Sequence, residues 1–380
     1  MAGTNCDVAV VGGGLVGLSL AYEAACLGAD VVLIDAGHPG RATDAGAGIL
    51  SPGTSTEEDF ELWELLEACG THYPRLLERL GADGVDTGPS QYDVCGLLSI
   101  GLRPHEEDWF APFAGLVLRR TPGVTEISPA EARALFPPLG PVHRVLHHPG
   151  AARVDGRGLA SALRQALSRR GVRVEQGEVT GILVGDGSRS VRGVRTADGG
   201  ECTCGALAVA GGAWSGAMGE WLGMRLPVVP MKGQIIHLGV DATTGSWPIA
   251  QPLLTHYLVP WADGRVACGG TFEPKAGYDA TVTAGGIHEL LRECLLVAPG
   301  LAGARHLETR AGLRPASPDD RAIVGVVPGW SNVGVATGHG ANGLLQGPYT
   351  ARVLAHTLLG APLPADEPPL PAAVSPERFG

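Results

Sequence analysis

Gly12, Gly14 and Gly17 form a Gly-x-Gly-x-x-Gly turn, and Asp35 closes the apolar run that follows. In such a turn the first glycine allows a tight exit from a strand, and the second lets backbone approach a pyrophosphate. The third lets a helix settle against the strand. Leu15 and Val16 lie within the turn, ahead of the helix start, whose unpaired N–H groups and dipole favour phosphate charge. Asp35, followed by Ala36, can accept both hydroxyls of an adenosine ribose; its charge argues against a 2′-phosphate and so against NADP. The pattern predicts a dinucleotide site and does not by itself separate FAD from NAD. Two other groupings carry less. Cys202-Thr-Cys204 lacks the spacing and the matching second pair of a zinc site. His147 and His148, adjacent in a strand, point to opposite faces, so no metal is expected there.

The glycine turn needs a βαβ unit around it, and the chain supplies one. Residues 7–11 read as a strand, 18–27 as a helix and 30–34 as a second strand. The next stretch holds Ala45, Gly46, Ala47 and Gly48, small enough for backbone to pass a flat ligand and equally consistent with a surface loop. Residues 57–80 carry apolar groups at helical spacing, 96–101 read as a strand, and 109–118 as a helix. Ser128-Pro-Ala-Glu131 has the serine cap, first-position proline and third-position glutamate of a helix start.

From residue 152 the α/β pattern returns, with a helix at 158–169, a strand at 172–175 and an antiparallel pair at 178–184 and 190–196. A buried strand at 206–210 then runs into a second glycine turn containing Gly211, Gly212 and Trp214, so the dinucleotide unit is discontinuous. Residues 226–238, 254–260 and 265–271 read as strands of a second, largely antiparallel sheet, with a helix at 285–297. Apolar strands at 322–327 and 333–336 lead into Gly338-His339-Gly340-Ala341-Asn342-Gly343. A helix from Leu344 to about residue 359 follows and tolerates Pro348 only in its first turn. Its start, aimed at a ligand, would offer free N–H groups and a partial positive charge. The proline-rich tail, 361–380, is expected to wrap the surface.

At 380 residues the chain can bury a large core, and 44% hydrophobic against 18% charged residues describes a soluble globular protein of about two domains. A formal net charge of -11 argues against nucleic acid or an acidic membrane as partner. It leaves room for an anionic small substrate, because one local arginine outweighs a diffuse field. The apolar start lacks a basic flank and is broken by the glycine turn, so it does not read as a secretion signal. No apolar run reaches membrane-spanning length. Eight scattered cysteines then fit reduced thiols in a cytoplasmic setting.

Later segments occur in series: Ala208-Val-Ala-Gly-Gly-Ala-Trp-Ser215, Val229-Pro-Met-Lys-Gly-Gln-Ile235, Tyr257-Leu-Val-Pro260 with Asp263-Gly264, and Gly269-Gly-Thr-Phe-Glu273. Gly312-Leu-Arg-Pro315, Ser317-Pro-Asp319 and Thr337-Gly-His339 complete the set. In order and spacing it closely resembles the D-amino-acid oxidase superfamily of FAD-dependent oxidoreductases, and within it the glycine oxidase branch of the thiamine-biosynthesis type. The resemblance runs from Asp7 to about Leu359.

The resemblance implies FAD rather than NAD, and the FAD is expected to be non-covalent, because the chain has no cysteine between Arg310 and Arg321, where monomeric sarcosine oxidases attach their flavin. It implies a fold of α/β plus α+β class. A discontinuous Rossmann-like FAD-binding domain would cover 1–85, 146–220 and 305–380, and an antiparallel-sheet substrate domain 86–145 and 221–304. Carried over by motif, Gly12, Gly14, Gly17 and Asp35 hold the ADP half. Arg41 and Thr43, with Ala45 to Gly48, line the pyrophosphate and flavin, and Val179 meets the adenine through its backbone. Gly211, Gly212, Trp214 and Gly312 border the cofactor, and the turn from Gly338 to Gly343, with Leu344, faces the pyrimidine edge of the flavin. Arg314 matches the family's substrate-carboxylate arginine, whose planar fork suits a carboxylate. Tyr257 matches a pocket tyrosine that hydrogen-bonds the same group.

Such enzymes pass a hydride from the amine-bearing carbon of a small amine or amino acid to flavin N5; the imine hydrolyses, and O2 reoxidises the flavin to give H2O2. Glycine, an N-substituted glycine such as sarcosine, or a D-amino acid is the implied substrate. Two positions depart from the pattern. Ala341 stands where many glycine oxidases carry arginine, and Trp261 where a basic residue is common after Pro260. Both turn the expected pocket toward a larger or N-substituted glycine. Alternatives are a dehydrogenase with another electron acceptor, a tailoring enzyme of specialised metabolism, and a flavin-binding protein without catalysis. A homo-oligomer is compatible with each.

Overall fold

A computed structural model describes residues 4–185 and 189–379. Its first large sheet runs, in spatial order, Ile323–Val326, Val333–Thr337, Glu201–Val209, Thr4–Val11, Val31–Asp35 and Arg173–Gln176. The hairpin Val179–Val184 and Val191–Thr196 joins it on Glu201–Val209. Thr4–Val11 has parallel partners on both sides. Val8 and Val10 face a core formed with the helices Leu15–Cys26, Phe60–Ala82, Gly156–Arg169 and Gly343–Leu358. Ala9 and Val11 face a second core on the opposite side. A strand buried on both faces needs a continuous apolar run, which is why this stretch reads so clearly.

The second large sheet runs Arg305–Ala316, Val229–Gly239, Arg265–Gly269, Tyr257–Pro260, Ile249–Pro252, Leu97–Gly101, Arg144–His148 and Thr125–Ile127. Its pairings are antiparallel except between Ile249–Pro252 and Leu97–Gly101. Leu98, Ile236, Leu258 and Cys268 pack on one face with residues of the helix Ala284–Val297. Leu97, Ile249 and Val259 on the other face meet Ala47 and Ile49 from the first part of the chain.

Several elements differ from the sequence reading. The first helix begins at Leu15 rather than 18, so the glycine turn runs into it without a gap. Glu201–Val209 extends well before 206, because Thr4 to Val11 pairs with its polar first half as well. Ile249–Pro252 is a strand that the reading did not contain; prolines at 248 and 252 bracket it and mask the signal. Arg305–Ala316, grouped in the reading with the cofactor domain, is the edge strand of the second sheet and pairs along its length with Val229–Gly239. Pro348 lies in the second turn of Gly343–Leu358, beyond the first turn expected of it. Its missing N–H leaves the Leu344 carbonyl without the usual helical donor, and the buried Tyr73 hydroxyl donates to that oxygen.

Two other elements match. Ser128 and Glu131 form both halves of a capping box at Pro129–Leu135. The tail packs Leu363, Leu370 and Ala373 on the first core, and Arg378 Nε pairs with Asp319 at 2.8 Å. All eight cysteines are free thiols. Among the described residues no cluster of His, Cys, Asp and Glu could hold a metal ion, and no helix is long and apolar enough to cross a membrane.

Candidate active site

A cavity of about 430 Å³ is lined by both large sheets. At the glycine turn, Gly12 has φ +110°, and a Cβ there would overlap the Ala210 carbonyl oxygen. A Cβ on Gly17 would overlap the carbonyl of Gly12, so this glycine is needed for helix-to-turn contact. Gly14 is open, with Thr43 Oγ1 the nearest atom to a Cβ at 3.5 Å. The Leu15 N–H donates to Thr43 Oγ1 at 2.9 Å, so a hydroxyl from the next loop caps the helix. Bare backbone beside a helix start is the cradle that a pyrophosphate needs.

Asp35 sits against Gly13, whose Cβ would lie 2.7 Å from the carboxylate. Arg41 Nη1 pairs with Asp35 Oδ2 at 2.7 Å, and its Nε reaches Asp44 at 3.4 Å. Arg41 therefore lines the cavity with its guanidinium turned to Asp35. Trp214 stacks on His38 with centroids 4.8 Å apart and on Tyr278 at 5.7 Å. Val179, Met218 and Trp221 belong both to the cavity wall and to the core behind it.

At the second sheet, the Arg314 guanidinium lies across neighbouring strands. A Cβ on Gly233 would overlap its Nη1, and one on Gly270 would lie 2.9 Å from Nη2. Nη1 donates to the Thr271 carbonyl at 2.9 Å, and Phe272 covers the guanidinium with its ring centroid 4.7 Å from Cζ. Among the described residues no carboxylate pairs with Arg314, so its charge is left for a ligand. Burial pushes the Tyr257 phenol up to about 12, with the neighbouring Arg314 pulling partly the other way. The hydroxyl therefore stays protonated and can donate.

Below Arg314 a buried network fixes Thr271. Lys232 Nζ pairs with Glu273 at 3.2 Å, and Glu273 accepts from Thr271 Oγ1 and Gln234 Nε2, each at 2.6 Å. Thr283 N donates to Gln234 Oε1 at 2.9 Å. Burial raises the Glu273 pKa, but these hydrogen bonds and Lys232 outweigh it, and the carboxyl ends below its ordinary value.

The third glycine-rich segment closes the cavity. Gly338 has φ +69°, and the short turn Gly340–Asn342 runs directly into Gly343–Leu358. His339 is buried, with Nε2 3.0 Å from Thr350 Oγ1. The Thr350 hydroxyl donates to the Gln346 carbonyl at 2.9 Å, so it must accept from the His339 Nε2–H. Burial pushes the His339 pKa down to about 4, which keeps the ring neutral. Ala341 and Asn342 are exposed at the cavity.

Of the site residues named from the sequence, all line this cavity except Gly17 and Gly338, which stand behind it and shape the turns. His38, Met218, Trp221, Gly233, Gln251 and Phe272 also line it and were not singled out. Gly233 and Phe272 lie inside motifs already quoted, so a signal for them existed. Nothing in spacing or periodicity marks the other four.

The profile of the FAD dependent oxidoreductase family matches residues 7–357. The chain is 38% identical over 92% of its length to "Uncharacterized oxidoreductase YurR" of Bacillus subtilis, covering 94% of that protein. It is 33% identical over 98% of its length to glycine oxidase of Pseudomonas putida, covering 99% of it. The crystal structure of iminodiacetate oxidase from Chelativorans sp. BNC1 superposes with a TM-score of 0.87 at 35% identity, covering 95% of this chain and 98% of that one.

Proposed function

The chain belongs to the family of FAD-dependent oxidoreductases, with FAD as its cofactor, and on that premise we propose that it oxidises a small carboxylate-bearing amine, with N-substituted glycines as the favoured class and O2 as electron acceptor. The observation that carries this reading is Arg314, a guanidinium without a protein carboxylate, laid beside the Tyr257 hydroxyl in the cavity that also holds the glycine cradle. Glycine oxidase and iminodiacetate oxidase lend support through their substrates. Iminodiacetate is a glycine whose nitrogen carries a second carboxymethyl group. Ala341 lines the same cavity with neither the bulk nor the charge of an arginine.

In this reading Gly12, Gly14, Leu15, Val16 and Asp35 hold the ADP half, and Val179 meets the adenine. Thr43, the stretch from Ala45 to Gly48, and the turn from Gly340 to Leu344 border the rest of the cofactor. The first sheet serves the cofactor and the second the substrate. Bound FAD supplies a two-electron acceptor for the hydride on the amine-bearing carbon. Arg314 and Tyr257 grip the substrate carboxylate from two sides and so set the direction of the carbon next to it. Neutral His339 adds no charge opposing a neutral amine. No cysteine lines the cavity, which supports non-covalent attachment. Eight free thiols support a cytoplasmic setting.

The test is an anaerobic screen of the holoprotein with glycine, sarcosine, iminodiacetate and D-alanine, read as bleaching of the flavin absorbance. Bleaching by at least one carboxylate amine, with peroxide formed in air, is expected. Bleaching without peroxide would assign a different electron acceptor. A flavin that no amine reduces would overturn the reading.

A further inference from the structure

Two buried polar atoms of the cavity wall, His339 Nδ1 and Gln251 Oε1, have no hydrogen-bond partner among the described residues, and of these two side chains only Gln251 is otherwise unbonded. Gln251, on the strand Ile249–Pro252, makes no side-chain hydrogen bond to any described residue, and its Oε1 is sealed from solvent without a donor. Buried amide oxygens are nearly always paired, so this one calls for a donor from a ligand, while the amide nitrogen is not sealed.

Its position says which. Ala250 pairs with Leu258 in the antiparallel ladder, so the next positions, Gln251 and Tyr257, stand opposite each other on one face. That face looks toward Ala47 and Ile49, which also line the cavity. Across the sheet the order of polar groups is therefore the Arg314 guanidinium, Tyr257, then Gln251. Beyond it, Gln251 is in register with Ser99, which is buried and bonded to His148 Nε2 at 2.9 Å. The polar row open to a ligand ends at Gln251. Adjacent strands lie about 4.8 Å apart, and the two carboxyl carbons of an extended N-carboxymethylglycine are separated by roughly 5 Å from bond lengths alone. A primary amide offers both N–H donors and a carbonyl acceptor, which suits a carboxylate and an amine N–H together.

We propose that Gln251 determines substrate specificity: resting on the reading above, it hydrogen-bonds a polar group, a second carboxylate above all, on the nitrogen substituent of a glycine anchored at Arg314 and Tyr257. A purely alkyl substituent leaves the amide N–H donors unpaired, and sites built to hydrogen-bond a group reject analogues that lack it. The amide is thus a filter against N-alkylglycines of the same length.

Anaerobic rapid mixing of the holoprotein with iminodiacetate and with N-propylglycine gives an apparent Kd for each, from the concentration dependence of the bleaching rate or, where no bleaching follows, from the shift in flavin absorbance; kcat/KM for the same pair gives the catalytic preference. The native chain should favour iminodiacetate by about tenfold or more. In Gln251→Leu the preference should collapse to within about twofold to threefold, chiefly in Kd and KM. Gln251→Glu, of the same size and therefore a check on packing, should weaken iminodiacetate about tenfold by charge repulsion and affect N-propylglycine little. Retained flavin absorbance shows that each variant is folded. A preference that survives in Gln251→Leu, or a native chain that binds both ligands alike or neither, overturns the assignment. Oxidation of amines with no dependence on Gln251 removes this proposal and leaves the oxidase reading standing. Gln251-dependent binding without bleaching does the reverse.

Discussion

A guanidinium lies flat against a pleated sheet only where the strands beneath it carry no side chains, and Arg314 meets that condition over Gly233 and Gly270. Two substitutions separate the charge from its placement. Arg314→Ala removes a charge-assisted contact of about 1.5–3 kcal/mol, so KM for a carboxylate amine should rise by one to two powers of ten while FAD stays bound. Gly233→Ala keeps the arginine but puts a methyl where Nη1 lies, and should raise KM in the same direction. Steady-state kinetics beside the flavin spectrum checks both; wild-type KM in either variant would refute the role. At this scale the motifs made Arg314 and Tyr257 legible, because each sits in a distinctive short string. Gln251 was not legible: a lone glutamine between prolines carries no periodic signal, and its importance appears only when the ladder sets it opposite Tyr257. Arg41 was legible as a cavity residue, but its pairing with Asp35 depends on a loop turn that no spacing rule encodes.

The helix Gly343–Leu358 shows how an element can break a local rule and be repaired by a distant residue. Pro348 withdraws the N–H that the Leu344 carbonyl would accept, and Tyr73, from Phe60–Ala82, supplies a hydroxyl instead. Tyr73→Phe keeps the ring, which stacks on Tyr92 with centroids 5.8 Å apart, and deletes only that donor. Leaving the buried carbonyl unpaired should cost about 1–3 kcal/mol in denaturant unfolding. Because Leu344 belongs to the cavity wall, FAD should also dissociate more readily. Unchanged stability and unchanged FAD affinity would show that the hydroxyl is dispensable. The helix itself was legible from its apolar period and the glycine turn before it, whereas the repair was not, since Tyr73 and Pro348 are joined only by tertiary packing. The same holds for the sheets. Strands of the first sheet buried on both faces announced themselves, while Arg305–Ala316, long and polar at its start, revealed its sheet only through pairing with Val229–Gly239.

Across the whole molecule, burial of charge and of titratable groups ties the parts together. Glu23, 1% exposed, pairs with Arg79 and, at 2.8 Å, with Arg352, joining Leu15–Cys26 to Phe60–Ala82 and Gly343–Leu358. Burial raises its pKa, yet the bond to Arg79 and the surrounding positive charge bring it below the ordinary value. Four histidines in different places, His72, His148, His237 and His339, are likewise buried. Burial pushes His72, His148 and His339 down to about 4 and His237 to about 3, with positive neighbours Arg79 at His72 and Arg310 and Arg265 at His237 adding to it. Each ring is neutral in the folded chain and free to charge once unfolded, with an ordinary value near 6.5. The unfolded state therefore binds more protons below that value, so the stability these rings contribute is complete above pH 6.5 and drains away as pH falls toward 4. At pH 5 each withdraws on the order of 1–2 kcal/mol, and Glu23 adds to the loss at lower pH. Urea unfolding of the holoprotein should show a flat midpoint from pH 8 to 7 and a steep fall between 6.5 and 5. His148→Gln can keep the bond to Ser99 but cannot titrate, so its curve should be shallower by about one proton in that interval. A native curve that stays level down to pH 5, or a variant with the native slope, would overturn this account of acid sensitivity.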